Sequence, residues 1–182
     1  MNWSLRLAKE EDIPSLQVLI PLSVRSLQAP YYSSAQIEAA LGPVFGIDRQ
    51  LLGDGNYFVA EQEGQIIGCG GWSKRRSLFG GDESRGADVN EQLDPKRDPA
   101  RIRAFFVHPQ WARRGIGRSI LAACETAILE AHFQNVELVA TLAGAPLYAS
   151  CAYVVVERYQ IPMPGGGLSL PVVRMIKPLN RR

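Results

Sequence analysis

The chain is poor in the residues that metal and redox chemistry require. It has two histidines, His108 and His132, and three cysteines, Cys69, Cys124 and Cys151. None falls in a CxxC, HExxH or comparable ligand spacing, so no dedicated metal site is expected. Scattered single cysteines fit a reducing compartment better than a disulfide framework. Charge of one sign is also scarce. Lys and Arg number 20 against 18 Asp and Glu, a net charge of +2. That balance gives no ground for nucleic-acid or membrane partners. No apolar run approaches the roughly 18 residues of a transmembrane helix. Met1 to Arg6, followed by the charged run from Lys9 to Asp12, lacks the apolar stretch of a signal peptide. The expectation is a cytoplasmic protein.

With 46% hydrophobic and 21% charged residues over 182 positions, the chain has the make-up of one globular domain, expected to span 1–182. Trp3 to Leu7 alternates as a short strand does. Ile13, Leu16, Leu19 and Ile20 recur at helical spacing, with Pro14 in the first turn. Ser33 or Ser34 can cap a second helix through Ile37, Ala40 and Leu41. Tyr57 to Glu61 and Gln65 to Trp72 read as a hairpin about Glu63-Gly64. A long loop is expected at about 73–99. Arg101 to Val107 ends in Ala104-Phe105-Phe106-Val107, the pattern of a central strand buried on both faces. Ile116, Ile120, Cys124, Ile128 and Ala131 then restore a helical period. Strands at Asn135–Ala140, Tyr153–Ile161 and Val172–Ile176 follow, with a short helix at Pro146–Cys151 and a glycine turn at Gly165-Gly166-Gly167. Such alternation implies an α/β sheet with helices on its faces.

The informative stretch runs from Phe105 through His108-Pro109-Gln110-Trp111-Ala112-Arg113-Arg114-Gly115-Ile116-Gly117-Arg118. A buried strand enters a basic, glycine-containing loop that opens an amphipathic helix. Free N–H groups and the positive end of the helix dipole converge there, which suits a phosphate or pyrophosphate. A P-loop would need GxxxxGK[ST], which is missing. A Rossmann fingerprint would need Gly or Ala where Ile120 stands.

The same stretch resembles the pyrophosphate loop of the GNAT acetyltransferase superfamily, Gln/Arg-x-x-Gly-x-Gly/Ala after the fourth strand. Gly115-Ile116-Gly117 matches the two small positions, and Ala112 stands where the family carries Gln or Arg. Downstream, Thr141 to Tyr153 resembles the segment in which a short helix carries a tyrosine, here Tyr148. Ala152 replaces a usual glycine before Tyr153. The resemblance covers roughly Tyr57 to Tyr153. It implies a mixed central twisted sheet of about seven strands flanked by helices on both faces. It also implies transfer of an acetyl group from acetyl-CoA, the co-substrate, to an amine, without a metal.

The resemblance assigns cofactor binding to Phe106, Val107 and residues Ala112, Arg113, Arg114, Gly115, Ile116, Gly117 and Arg118. The Val107 N–H is placed to polarise the thioester carbonyl, and Tyr148 to protonate the leaving thiolate. Glu137 is the candidate general base, with Glu38, Asp82 and Glu83 as alternatives. Tyr31 and Tyr32 stand where the family builds its acceptor pocket, and the acceptor is a small-molecule or protein amine. His108 reads as a turn residue and Cys124 as core. Cys151, with no histidine nearby in sequence, is a poor nucleophile. Arg75-Arg76 and Arg181-Arg182 read as solvated pairs, with the first as an alternative contact for an anionic acceptor or the 3′-phosphate of CoA. Val172–Ile176 is read as an exposed closing strand that could pair across a homodimer interface. Two other readings stay open: a non-catalytic acyl-CoA-binding regulatory module, and a partner-binding domain that has lost the cofactor.

Overall fold

The structure, a computed structural model, describes residues 2–78 and 91–179. Gly80, Gly81, Asp82, Glu83, Arg181 and Arg182 lie outside the described residues. Seven strands form one sheet: β1 (Ser4–Leu7), β2 (Tyr57–Gln62), β3 (Gln65–Ser73), β4 (Ala100–Val107), β5 (Asn135–Thr141), β6 (Val154–Pro162) and β7 (Ser169–Pro178). Their spatial order is β1-β2-β3-β4-β5-β7-β6. Neighbours are antiparallel except β4 and β5, which run parallel.

Helices cover both faces. On one lies α4 (Ile116–Glu130), which buries Ile116, Ile120, Leu121, Cys124 and Ile128 against the sheet. That stripe is the helical period legible in the sequence. On the other lie α1 (Ile13–Leu27) and α2 (Ser34–Ala40). The buried stripe of α1 is Leu16, Leu19, Ile20, Ser23 and Val24, so one hydroxyl sits among aliphatic neighbours. Ser33 caps α2: its Oγ accepts from the Gln36 N–H (3.2 Å), and Gln36 Oε1 accepts from the Ser33 N–H (2.9 Å). The short α3 (Arg49–Gly53) is not foreseen in the sequence, since five residues are too few to show a period. Its cap is Asp48, fully buried, whose Oδ1 accepts from the Leu51 N–H (3.1 Å). The last helix, α5 (Ala145–Ala149), starts with Pro146 near its first position.

The expectation of an exposed closing strand at Val172–Ile176 is corrected. The strand β7 pairs with β5 on one side and β6 on the other, because the β6–β7 hairpin folds back and inserts its second strand into the sheet. The edge is β6, where Val154, Val155 and Val156 are all exposed. The 73–99 connection also has more order than a bare loop. Arg75 and Gln92 form an antiparallel bridge, and Leu93 is buried.

Two features of β3 and β4 prepare the centre of the molecule. Ala104 has φ +61, a left-handed conformation that an L-residue adopts at a cost. It turns β4 so that Ala100 and Ile102 face α4, whereas beyond it Phe105 and Val107 face α4 and Phe106 faces α1. Gly70 of β3 lies beneath Phe105; a Cβ there would come within 2.5 Å of the ring. The two parallel strands pair at Ala100↔Val136, Arg101↔Glu137 and Ile102↔Leu138, and no further. Past that point β5 stays with β7 through Thr141↔Val172, while β4 follows β3 through Val107↔Gly68. The strands therefore splay apart.

Candidate active site

The splay opens a cleft of about 510 Å³. Ile102 to Val107 of β4 form one wall and Val139 to Thr141 of β5 the other. On the α4 side the wall continues through Trp111, Ala112 and Arg113, then Gly115 to Arg118, and across to Gly144, Leu147 and Tyr148. On the opposite side it is built by Ser23, Leu27 and Gln28 of α1, by Val44, Phe45 and Gly46, and by Ile161 and Val172.

The α4 end is a ready anion site. A short helical turn at Pro109–Trp111 is fixed by His108, whose Nδ1 accepts from the Gln110 N–H at 3.3 Å. His108 is thus a turn residue in the structure as well. Arg113 (φ +64) and Gly115 (φ +86) then swing the chain into α4. Intrahelical bonding begins with the Ser119 N–H to Gly115 O (2.9 Å), and no side chain caps the helix. The N–H groups of Ile116, Gly117 and Arg118 are left pointing out of the first turn. Gly117 is needed for closeness: a Cβ there would meet Leu147 Cδ2 at 3.0 Å. Arg118 reaches across to α5 and donates to Ser150 Oγ at 2.9 Å. Arg114 is the exception among the expected loop residues. It is absent from the cleft wall, and its guanidinium lies 4.9 Å from the centre of the Trp111 ring.

Tyr148 is buried and lines the cleft. Its ring stands edge-on to Phe105 (6.0 Å between centres) and Tyr153 (5.8 Å). Burial pushes its hydroxyl well above the ordinary phenol range, since a phenolate there would be desolvated. No described residue hydrogen-bonds that hydroxyl. Tyr148 is therefore a protonated donor throughout the neutral range.

Val107 departs from the sequence expectation. Its N–H donates to Ser23 Oγ at 3.2 Å. Ser23 is 4% exposed, lines the cleft, and has no acceptor for its own proton among the described residues. Ser23 was missed in the sequence. Its only signal is a polar residue on the apolar stripe of α1.

Glu137 also departs from expectation, and its reading as general base is corrected. It is buried on β5, and its two oxygens accept from Arg101 and from Arg174, the latter at 3.0 Å. It stands where the two parallel strands are still paired and takes no part in the cleft wall. Burial pulls the Arg101 guanidinium down from its ordinary range against the pull of Glu137. The group is a charge clasp at the closed end. Glu38, an alternative base, is exposed on α2 and paired with Arg25 at 2.7 Å.

The other sequence candidates take structural places. Tyr32 is buried; its hydroxyl donates to Pro171 O (2.7 Å) and accepts from the Leu142 N–H (2.9 Å), tying α2 to the ends of β5 and β7. Tyr31 is exposed. Arg75 pairs with Asp54 and Arg76 with Glu91, each at 2.7 Å. Cys124 is core. Arg103, unremarked in the sequence, lines the cleft but is committed to Asp48 Oδ2 (2.7 Å), Gln50 Oε1 (2.8 Å) and Ser77 O (3.0 Å). Among the described residues no group of His, Cys, Asp and Glu could hold a metal. None of the described helices is long and apolar enough to cross a membrane.

The described geometry agrees with comparisons to known proteins. The acetyltransferase (GNAT) domain family matches residues 53–155. A GCN5-related N-acetyltransferase structure from Rhodopseudomonas palustris is similar at 21% identity and TM-score 0.71, covering 98% of this chain and 97% of that one. The PaiA N-acetyltransferase of Thermoplasma acidophilum, solved in complex with coenzyme A, is similar at 15% identity and TM-score 0.65, covering 98% and 99%. A putative acetyltransferase from Salmonella typhimurium, solved with acetyl-CoA, is similar at 16% identity and TM-score 0.62, covering 100% and 96%. No curated protein matches the sequence closely enough to count as a relative.

Proposed function

The chain belongs to the GNAT acetyltransferase family, and from that premise we propose that it transfers an acetyl group from acetyl-CoA directly to an amine. The observation that carries this reading is the junction of two features in one cleft. The uncapped first turn of α4 opens at one end, and the protonated Tyr148 stands in the wall.

Ile116, Gly117 and Arg118 would bind the pyrophosphate through their N–H groups, with Arg113 and Arg118 adding charge. The edge of β4 at Phe106 and Val107, abandoned by β5, would bind the pantetheine amides as an added strand does. The co-substrate supplies an acetyl thioester, whose carbonyl carbon is the electrophile. The Ser23 hydroxyl, which accepts from the Val107 N–H, would be the donor at the α1 side of that edge, where developing negative charge on the carbonyl oxygen needs stabilising. Tyr148 donates its proton to the sulfur as it leaves. A phenol whose pKa is raised by burial stays neutral and gives its proton up only to a strong base, and a thiolate desolvated in the same apolar surroundings is one.

The test is calorimetric titration of acetyl-CoA into the protein and into Gly117→Asp. A Kd at or below about 100 μM, roughly 5.5 kcal/mol, is expected for the native chain. The variant places a carboxylate and a crowded Cβ at the anion site and should lose detectable binding. Equal binding by both would move the cofactor elsewhere; no binding by either would sink the assignment.

A further inference from the structure

The geometry points to Tyr153 as the positioning residue of Tyr148: tethered by Glu125 and Lys177, its ring braces the Tyr148 ring and so aims the hydroxyl at the departing sulfur. This rests on the acetyl-transfer reading and adds to it a residue that stands behind the cleft wall.

Tyr148 sits on α5, a helix of five residues. A hydroxyl at the far end of a ring magnifies small rotations at the base of the side chain, so its place depends on what grips the ring. Two rings do so, both edge-on: Phe105 with centres 6.0 Å apart and Tyr153 with centres 5.8 Å apart. Phe105 lies directly on Gly70 and has no room to sink. Tyr153 is folded back onto Tyr148 by the chain itself. Ala152 takes the left-handed φ of +68. The N–H groups of Cys151 and Tyr153 then both donate to Tyr148 O, at 2.9 and 3.1 Å. One short turn therefore grips the backbone of Tyr148 and presents a ring to its side chain.

The tether comes from two distant elements. Tyr153 is 3% exposed, and its hydroxyl donates to Glu125 Oε1 of α4 at 3.0 Å. Lys177 of β7 donates to both Glu125 oxygens at 2.8 Å, and its ammonium lies 5.3 Å from the centre of the Tyr153 ring. Burial, with the Glu125 charge beside it, pushes the Tyr153 hydroxyl far above the ordinary phenol range, so this donor keeps its proton. A site that needed only filling would be served by phenylalanine. A hydroxyl bound to a part-buried ion pair fixes the ring in one orientation as well. Such fixing matters because misplacement by about 1 Å can cost about a hundredfold in rate. As the C–S bond breaks, the Tyr148 proton passes to the sulfur, and the surplus proton of the acetylated nitrogen restores Tyr148 through water. Tyr153 exchanges nothing in that step.

The experiment uses the full chain with acetyl-CoA and hydroxylamine, a small amine neutral at pH 7, and reads CoA release in single turnovers. Tyr153→Leu should slow release about tenfold while acetyl-CoA affinity, measured by calorimetry, changes by less than about twofold. Tyr153→Phe keeps the ring and loses the tether, and should slow release about threefold. In a Tyr148→Phe background, Tyr153→Leu should cost less than about twofold more, since a brace then has no hydroxyl to aim. An equal loss in both backgrounds overturns the inference, because packing alone would give it. So does an unchanged rate in Tyr153→Leu. Ring NMR of tyrosine-labelled protein without acetyl-CoA supplies a readout free of turnover. Tyr148 should flip slowly in the native chain and fast in Tyr153→Leu, and unaltered flipping overturns the brace. Should Tyr153→Leu not fold, Glu125→Ala loosens the same ring from outside the core. Its expected loss is about threefold and should vanish in the Tyr148→Phe background. A native chain that binds no acetyl-CoA, or releases no CoA from it, is a different failure, that of the acetyl-transfer reading. Ring flipping then decides the brace alone.

Discussion

The two ends of the β4–β5 pair are built from the same strands and handle polar groups in opposite ways. At the closed end Arg101 and Glu137 are register partners, and Arg174 from β7 completes the group. Glu157 of β6 lies 3.3 Å from Arg174, so two carboxylates answer two guanidiniums, and the cluster holds the strands together and offers nothing to a ligand. At the open end the pairing has stopped, and what remains is uncommitted among the described residues: the first-turn N–H groups of α4, the Tyr148 hydroxyl, the Ser23 proton and Gln28 Oε1. The lesson is that a buried charge is a poor marker of a site when its partners are buried with it. Polar groups left over by the fold mark it better.

Breaking the closed end should have the largest effect. Glu137→Ala strands a buried guanidinium, and removal of one partner from a buried pair costs about 3 kcal/mol or more. Denaturant unfolding should register that loss, while the pH profile of the residual acetyl transfer keeps its shape. A shifted profile would restore Glu137 as a base. At the open end, Tyr148→Phe keeps the ring between Phe105 and Tyr153 and removes only the donor. Turnover should drop about a hundredfold with acetyl-CoA affinity nearly unchanged, and an equal loss in both would make Tyr148 a binding residue.

Ser23→Ala sharpens the contrast further. If Ser23 passes on the polarisation of Val107, kcat should fall about tenfold, less than the roughly hundredfold typical of such a donor, because the freed Val107 N–H can take its place. An unchanged or faster enzyme would mean that Ser23 merely blocks the Val107 N–H. The smallest effect belongs to the hinge between the two ends. Ala104→Gly removes the left-handed strain but frees the unfolded chain, so stability should change by less than about 1 kcal/mol. Ala104→Val, β-branched at φ +61, should destabilise by more than that, and equal melting temperatures for the two would deny the strain.

Much of this was legible in the sequence because it is local. The run from Phe105 to Arg118 carries strand, turn and helix start within a few residues, and the α4 stripe repeats too regularly to miss. The turn roles of His108 and the Ser33 cap depend only on neighbours in the chain. Where reading failed, the deciding partner was distant. Glu137 reads as a free carboxylate until Arg101 and Arg174, 36 and 37 positions away, are seen on its oxygens. The Val107 N–H reads as free until Ser23, 84 positions earlier, is found accepting from it. β7 reads as an edge until the hairpin inserts it between β5 and β6.

The sequence by itself determined the element order apart from α3, the helices on the sheet's faces and the anion-binding turn at the start of α4. Backbone propensity, hydrophobic period and glycine placement act over a few residues, so a linear string records them. Only the tertiary structure decided where β4 and β5 part, which carboxylate is spent on arginines, and which polar atoms face the cleft unanswered. Those outcomes depend on long-range pairing, in which each donor is claimed by whichever acceptor the packed sheet brings within hydrogen-bond reach.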